Sequence, residues 1–234
     1  MDNVIYFESV TGIKDTLIPF LEKHLSTSGW ALVRIEPSPK TESDMLIIAT
    51  LAGQVLGESF GYHTLDATNS EEILAVHTEG ISNESGIVPY FALGCIKPAD
   101  SGGETRLFDG RLAAIEIDNV TELSNVVIEY SALANPSTRV HYPLVIPEYG
   151  RTLRYRSNVE TNLVLSSGGF PENEMYQKVD EIVRNSLIVS HYWNAGELLF
   201  VNNLFTLHDR LPFQGNRRML RVRYNDTLNS RIRY

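Results

Sequence analysis

Apolar residues in the N-terminal part of the chain recur with both helical and strand periods. Residues 14–27 carry apolar side chains three to four positions apart, which predicts an amphipathic helix. The apolar run at residues 30–35 predicts a strand. A second helix is predicted from Asp44 to Leu56, with Ser43 or its own first residue as N-cap and Gly57 at its end.

From residue 70 onward the pattern is typical of short strands separated by proline and glycine turns. Strands are predicted at residues 73–77, 89–97, 104–108, 125–132, 139–146, 152–156, 198–201, 206–208 and 217–224. One further helix is predicted at residues 172–188, with an apolar face formed by Met175, Val179, Ile182 and Val183. Together these elements predict a mainly β fold with flanking helices, a sandwich-like barrel such as the double-stranded β-helix or jelly roll.

The length and composition fit one globular domain without a membrane segment. At 234 residues the chain is long enough for a substantial core, and it shows no repeat or low-complexity linker, so we expect a single domain over residues 1–234. No apolar stretch is long enough to span a bilayer. Cys95, the single cysteine, lies in an apolar strand-like run, which predicts a buried structural thiol. Without an internal disulfide, a cytoplasmic location is the simplest expectation.

The distribution of charge argues against nucleic acid as a partner. The formal net charge is −9, whereas a protein that binds a phosphate backbone needs a basic stripe. Arginines are nevertheless concentrated in residues 205–234. A local basic region within an acidic protein suits a small anionic ligand.

Three side chains predict a metal centre. His77 and Glu79 occupy alternate positions of a predicted strand, so both are expected to face inward while Thr78 faces outward. A neutral imidazole and a carboxylate can take two adjacent positions on one divalent ion, and His208 can take a third. Two histidines and one carboxylate form the facial triad of non-haem Fe(II) oxygenases, which leaves positions open for other ligands.

The His-x-Glu pair alone is a weak signal. About one such pair is expected by chance in a chain of this size, and a lone His77 is more often a structural histidine at a strand end. The residues that follow His208 change this judgement, because they offer positive charge for an acidic co-substrate beside the same ion.

That positive charge lies on a predicted strand at residues 216–224. Arg217 and Arg221 share one face of it, and an inward guanidinium is costly unless a carboxylate pairs with it. The planar guanidinium matches a carboxylate in a bidentate manner. We therefore interpret Arg217 and Arg221 as co-substrate ligands, and Arg218 and Arg223 as solvated or paired with acidic side chains.

Other polar segments have both a functional and a structural interpretation. The turn that enters the strand at Thr105 is explained by a hairpin connection, although its hydroxyl can also bind a carboxylate. The segments Gly80–Gly86 and Asn158–Pro171 are either lids or surface loops. Arg154 and Arg156 are expected to form surface salt bridges, with a substrate carboxylate as the alternative partner for one of them.

Four blocks of sequence recur in an order typical of a known family. They are Val76–Glu79, Lys97–Thr105, Phe200–Arg210 and Arg217–Arg221. Together they resemble the TauD/TfdA superfamily of Fe(II)- and 2-oxoglutarate-dependent dioxygenases, whose fold is the double-stranded β-helix. Their combination is specific, although no single block is.

The resemblance implies a role for six of these residues. The iron ligands would be His77, Glu79 and His208. Thr105 and Arg217 would hold the distal carboxylate of 2-oxoglutarate. Arg221 would contact the co-substrate or an acidic group of the substrate. The implied cofactors are Fe(II) and 2-oxoglutarate, with O₂ and a small molecule as the other reactants.

Three departures from the family pattern are present, and one of them is a short chain, for which we expect small lids. Glu79 stands where many members have aspartate, which resembles the clavaminate synthase and amino-acid hydroxylase branch. The pair Asn202-Asn203 stands where the family often has Asp-Asn. We expect hydroxylation, desaturation or cyclisation of a small polar substrate, an amino acid or an amino-acid-derived intermediate of a biosynthetic pathway.

Three other classes remain open from the sequence. A metal-dependent hydrolase and a cupin-type isomerase can use the same triad, and a non-enzymatic jelly-roll binder can share the fold. Succinate release coupled to O₂ consumption separates an oxygenase from all three. The sequence makes no prediction of oligomeric state.

Overall fold

Two facing β-sheets with helices outside them form the centre of the described part of the chain, beside a three-stranded and a two-stranded sheet. The computed structural model describes residues 3–36, 42–81, 87–123, 126–131, 139–147, 152–157, 162–165 and 172–225. Its helices are α1 (Lys14–Thr27), α2 (Glu42–Leu56), α3 (Gly110–Asn119) and α4 (Glu172–Asn185). Its strands are β1 (Val4–Phe7), β2 (Trp30–Ile35), β3 (Glu58–Ser70), β4 (Leu74–His77), β5 (Tyr90–Lys97), β6 (Ser101–Gly102), β7 (Thr105–Asp109), β8 (Val126–Ser131), β9 (Arg139–Pro143), β10 (Val145–Ile146), β11 (Thr152–Leu153), β12 (Asn162–Leu165), β13 (Leu187–His191), β14 (Glu197–Asn202), β15 (Thr206–Arg210) and β16 (Phe213–Asn225).

The strands form one large and one smaller main sheet. The large sheet has the order β1-β2-β14-β5-β16-β3, with β6 paired to β16, and the smaller sheet has the order β13-β7-β15-β4. All the pairs in these two sheets are antiparallel except β1 with β2. The predicted jelly-roll fold is confirmed by this pair of sheets.

Successive side chains of the central strand β14 point to opposite faces of the large sheet and enter different apolar layers. Leu199 and Val201 point toward the smaller sheet, where they share a buried cluster with Leu107 of β7. Phe200 points the other way, into the cluster formed with α1 and α2. Helices α3 and α4 cover the far side of the smaller sheet, through a cluster that includes Phe108. Within the ranges described, no helix is long and apolar enough to cross a membrane.

The N-terminal elements agree closely with the hydrophobic pattern. Helix α1 and strand β2 have the predicted bounds. The predicted N-cap of α2 is wrong, because the helix begins at Glu42 and its first turn therefore contains Ser43 and Asp44. An acidic first turn is favourable at the positive end of the helix dipole. Gly57, with a φ of 92°, ends the helix as predicted.

Other elements have bounds that differ from the predicted ones. In these segments the backbone pairs with a neighbouring strand although the side chains show only a weak apolar pattern. The helix predicted to run to residue 188 ends at Asn185, since the following residues form β13 against β7. Strand β3 and helix α3 were not predicted. Part of the loop predicted at residues 158–171 is strand β12, which pairs with β8, and the rest of that segment lies outside the described residues.

Cys95 lies in the apolar layer between the two main sheets, as predicted. Burial raises the pKa of its thiol to about 12. A buried thiol held in its neutral form is typical of a structural cysteine.

A buried carboxylate at the start of β14 makes stability depend on pH. Glu197 accepts hydrogen bonds from Arg34 at 2.6 Å and from the backbone N–H of Asn194 at 2.7 Å, and its Oε2 lies 2.9 Å from Nε2 of His191. Burial raises the pKa of this carboxyl, but His191 and Asn194 outweigh it and lower the pKa to about 2 from 4.5.

The variant Glu197→Gln is expected to lower the free energy of unfolding by about 1–3 kcal/mol at pH 7, because the donors around it lose a charged acceptor. The folded pKa lies below the unfolded one, so this contribution is complete above about pH 4.5 and disappears as the pH falls toward 2. Urea unfolding at pH 7, 5 and 3 measures the effect. A parent–variant difference that stays constant over that range would contradict the assignment.

Candidate metal centre and co-substrate pocket

Two histidines face each other across adjacent strands of the smaller sheet. His77 at the end of β4 and His208 in β15 are direct partners in the antiparallel register, and their ring centroids lie 4.2 Å apart. The ring of Phe91 from the large sheet lies 4.6 Å from the His208 ring. The His208 imidazole is therefore held between rings from both sheets.

Glu79 reaches the same place from a turn. The prediction that His77 and Glu79 share one strand is wrong, because β4 ends at His77. Thr78 does face away, as expected: its hydroxyl donates to the carbonyl of Leu153 and its N–H donates to the carbonyl of Tyr155. These two bonds hold Thr78 against Leu153 and Tyr155, while the Glu79 carboxylate faces the histidines.

The backbone of Glu79 is held by the side chain of Asn203. The Glu79 N–H donates to Oδ1 of Asn203 at 2.9 Å, and Nδ2 of Asn203 donates to the Glu79 carbonyl at 3.0 Å. The same nitrogen donates to the carbonyl of Val88 at 2.6 Å. All of these groups are buried. Asn203 was noted in the sequence only as a departure from the family pattern, and its function in fixing Glu79 was missed.

The variant Asn203→Asp is expected to destabilise the fold by about 1–3 kcal/mol. Aspartate keeps the acceptor for the Glu79 N–H but has no N–H for the carbonyls of Glu79 and Val88, so buried acceptors lose their donor. Thermal unfolding of the metal-free protein measures the loss. If Asn203→Asp were as stable as the parent, the amide would not be needed to hold this turn.

The ligand atoms of the three predicted metal ligands converge on one point. They all lie within 4.8 Å of one another, and Nε2 of His77 and Nε2 of His208 each lie 3.8 Å from Oε2 of Glu79. A separation of 3.8 Å is too long for a hydrogen bond. It is within the roughly 4.2 Å that two ligands of one ion can span when each bond is about 2.1 Å. The arrangement therefore fits a divalent ion held by three residues.

The charge states of the cluster also fit a metal ion. Burial raises the pKa of the Glu79 carboxyl, but His77, His208 and the nearby arginines outweigh it and lower the pKa well below its ordinary value. Burial and the neighbouring His77 lower the pKa of His208 well below its ordinary range. A carboxylate and a neutral imidazole are the forms that bind a metal. Nδ1 of His77 lies 2.8 Å from the carbonyl of Ala75, which leaves its Nε2 free to act as a ligand.

The second oxygen of Glu79 is occupied by arginines from β16. Arg223 donates to Oε1 from Nε at 2.8 Å and also from Nη2, and Nη1 of Arg221 lies 3.3 Å from the same oxygen. Arg223 was expected to be solvated or paired with an acid, and the acid proves to be the predicted metal ligand. Arg218 pairs with Glu42 at 3.2 Å on the outer face, as expected.

Arg217 lies in the same pocket as the three predicted metal ligands. The pocket is lined by the triad together with Thr105, Arg217 and Arg221. Among the described residues, the Arg217 guanidinium has no hydrogen bond or ion pair, and it lies 5.7 Å from the ring centroid of Phe213. Burial and the neighbouring Arg210 lower its pKa to about 10, so it remains charged at neutral pH.

Thr105 enters this pocket at the start of β7. Its Oγ1 accepts a hydrogen bond from Nε1 of Trp193 at 3.0 Å, so the hydroxyl hydrogen remains available to donate. The preceding Gly102 and Gly103 both have positive φ, and a Cβ on Gly102 would collide with the carbonyl oxygen of Pro212. The tight turn predicted at these glycines therefore brings β7 close to the end of β15.

The remaining sequence predictions concern Arg154, Arg156 and the first candidate lid. The expected surface salt bridge of Arg154 is wrong, because this side chain is fully buried and donates to the carbonyl of Ile81. The backbone of Arg156 pairs with that of His77 in an isolated antiparallel β-bridge. Of the first candidate lid, residues 82–86 lie outside the described part of the chain.

Comparison with known proteins supports the family resemblance. A family model described as "Taurine catabolism dioxygenase TauD, TfdA family" matches residues 135–224. No curated protein matches the chain. The match includes the two C-terminal blocks, Phe200–Arg210 and Arg217–Arg221, and supports the resemblance there.

Solved structures of similar fold span nearly the whole chain. The PvcB protein from Pseudomonas aeruginosa is 17% identical with a TM-score of 0.70, over 95% of this chain and 85% of that one. A second PvcB structure, described as an Fe, alpha-ketoglutarate dependent oxygenase from an isonitrile synthetic pathway, is 18% identical with a TM-score of 0.68, over 88% of this chain and 79% of that one. OrfP, a non-heme iron oxygenase in complex with Fe and alpha-ketoglutaric acid, is 18% identical with a TM-score of 0.69, over 94% of this chain and 81% of that one. At these identities the likeness establishes the fold.

Proposed function

We propose that this chain, which is related to the TauD/TfdA superfamily, is an Fe(II)- and 2-oxoglutarate-dependent oxygenase. The observation that carries the proposal is the convergence of His77, Glu79 and His208 in one pocket with Arg217, whose guanidinium is unpaired among the described residues. Such a triad is characteristic of non-haem Fe(II) oxygenases. The similarity to PvcB and OrfP supports the same kind of activity, because both are described as iron oxygenases.

Each residue of the pocket has a defined task in this proposal. His77, Glu79 and His208 hold Fe(II), while Arg217 and Thr105 bind the distal carboxylate of 2-oxoglutarate. When bound, the iron, 2-oxoglutarate and O₂ together supply the oxidising chemistry. The protein orients the reactants and excludes water, which strengthens the pairing of the guanidinium with a carboxylate.

Arg217 favours an oxygenase over a metal-dependent hydrolase. A hydrolase needs a general base near the ion, and it has no use for a half-buried guanidinium without an acidic partner. Such a group is unfavourable in the free protein and becomes favourable when an acidic ligand arrives. Its position in the same pocket as the triad is therefore explained by a co-substrate that carries a carboxylate.

Succinate formation tests the proposal directly. Purified protein is reconstituted with Fe(II) under anaerobic conditions, supplied with 2-oxoglutarate and O₂, and combined with a panel of amino acids and amino-acid derivatives. We expect succinate to form together with O₂ uptake, and a true substrate to raise both rates. Turnover of a substrate with neither O₂ uptake nor succinate would identify a hydrolase or isomerase instead.

We further propose a small polar substrate, an amino acid or an amino-acid-derived compound. The part of the pocket formed by β3 and β4 has apolar walls from Leu65, Ala67 and Leu74, beside the charged Arg221. A compact molecule with one anionic end suits such a site. A structure of OrfP in complex with a hydroxy-arginine supports amino acids as the first compounds to test.

A further inference from the structure

The two oxygens of the Glu79 carboxylate have different surroundings. Oε2 points toward the Nε2 atoms of His77 and His208, without a hydrogen bond between them. Oε1 accepts both hydrogen bonds from Arg223 and lies near Arg221. The side chain of Glu79 is 4% exposed, so water contributes little to holding it. The arginines therefore distinguish two oxygens that are chemically equivalent in a free carboxylate.

We propose that Arg223 is a positioning residue that makes Glu79 a ligand through one oxygen only. This inference rests on the proposed metal centre. A carboxylate can bind an ion through one or both oxygens, and its plane is free to rotate unless a partner fixes it. Two N–H groups of one guanidinium on Oε1 fix that rotation and occupy the lone pairs of this oxygen. Asn203 cannot do this, because it holds only the backbone of Glu79.

Arg223, rather than Arg221, has the geometry for this role. Both arginines lie on β16 and face the same oxygen, but the hydrogen bonds of Oε1 come from Arg223. Arg221 makes a charge contact at 3.3 Å, and its buried Nε has no hydrogen-bond partner in the described residues. Arg221 therefore contributes positive charge, whereas the hydrogen bonds of Arg223 fix the orientation of the Glu79 carboxylate.

One-oxygen binding matters for the number of positions left on the ion. Two imidazoles and one carboxylate oxygen leave three positions of an octahedral ion open. A second bond from Glu79 would take one of them. Fewer positions would then remain for the reactants of the proposed oxygenase. Arg223 would thus keep one of these positions available.

Cobalt(II) binding to the metal-free protein tests this role without turnover. Anaerobic titration gives the dissociation constant, and the visible absorption of bound Co(II) reports the arrangement of its ligands. We expect Arg223→Gln to weaken Co(II) binding by about 10–100-fold, the usual effect of losing a partner of a metal ligand, and to change the spectrum. Arg223→Lys keeps one charged donor, so its affinity should be intermediate and its spectrum closer to that of the parent.

Arg221→Gln is the matched control on the same strand. It removes a charge near the same oxygen but no hydrogen bond, so its effect on Co(II) affinity should be much smaller and the spectrum should not change. Thermal unfolding of each metal-free variant verifies the fold, and if Arg223→Gln does not fold, Arg223→Lys decides the question. Parent-like affinity and spectrum in the Arg223 variants, or equal effects of Arg221→Gln, would overturn the inference. Failure of the parent to bind Co(II) would instead refute the metal centre itself.

Discussion

Alanine in place of His208 is expected to abolish Fe(II) binding and, with it, 2-oxoglutarate-dependent succinate formation. The imidazole supplies one of the three ligand atoms that converge in the pocket. Loss of a partner behind a ligand commonly weakens metal binding by about 10–100-fold, so loss of the ligand itself should exceed about 100-fold. Anaerobic titration with Fe(II) measures the affinity, and succinate release measures turnover.

His141→Ala is the matched control for this variant. His141 is an exposed histidine of β9 that pairs with Glu129 at 2.8 Å, in a sheet separate from the triad. Its replacement should leave both Fe(II) affinity and succinate formation unchanged. Parent-level Fe(II) affinity in His208→Ala would remove the basis of the proposed centre.

The variant Arg217→Ala is expected to need a 2-oxoglutarate concentration about 30-fold or more higher for half-maximal succinate formation. Its affinity for Fe(II) should be retained. Truncating one partner of a hydrogen-bonded charge pair costs about 2 kcal/mol or more, and each 1.4 kcal/mol is about tenfold in affinity. Because the guanidinium has no acidic partner among the described residues, its removal should not destabilise the metal-free protein. The concentration dependence of succinate formation measures the first effect, and thermal unfolding measures the second.

Arg218→Ala is the control for the Arg217 variant, since it removes a neighbouring charge from the outer face of the same strand. Its requirement for 2-oxoglutarate should equal that of the parent. A ligand that binds only the folded state raises the melting temperature. In the presence of metal, 2-oxoglutarate should therefore stabilise the parent and Arg218→Ala, but hardly stabilise Arg217→Ala. Equal stabilisation of all three proteins would show that Arg217 does not bind the co-substrate.

The sequence predicted those parts of the fold whose side chains have a clear apolar pattern. Helix α1 has one face against a packed layer, so its period was visible, and β2 is a continuous apolar run because both of its faces are buried. Strand β3 has mostly exposed side chains and lies at the edge of the large sheet, where pairing of its backbone with β16 determines its structure. A pattern of side chains carries little information about an element held in this way.

The sequence before helix α3 contains an N-cap residue, which the hydrophobic pattern alone does not reveal. The side chain of Asp109 accepts hydrogen bonds from the backbone N–H groups of Arg111 and Leu112, which is an N-cap arrangement. Aspartate before a run with apolar residues three to four positions apart can be recognised in a sequence. The helix could therefore have been predicted from its cap.

The environment of Glu79 shows what sequence reasoning cannot supply. The alternation that placed Arg217 and Arg221 on one face of a strand also places Arg223 there, so its inward direction could have been predicted. That Arg223 and Asn203 both meet Glu79 depends on the pairing of strands far apart along the chain. The pairing of these strands determines which oxygen and which backbone groups of Glu79 are bound. A local pattern of residues in the sequence does not contain this information.

The direct pairing of β4 with β15 has a consequence for biosynthesis. The two imidazoles belong to strands that are distant along the chain but adjacent in the sheet, so a nascent chain that ends before β15 has no complete set of ligands. Contacts of such long range form late, because closing a large loop must precede them. A complete set of iron ligands therefore forms only after β15 has been synthesised and has paired with β4.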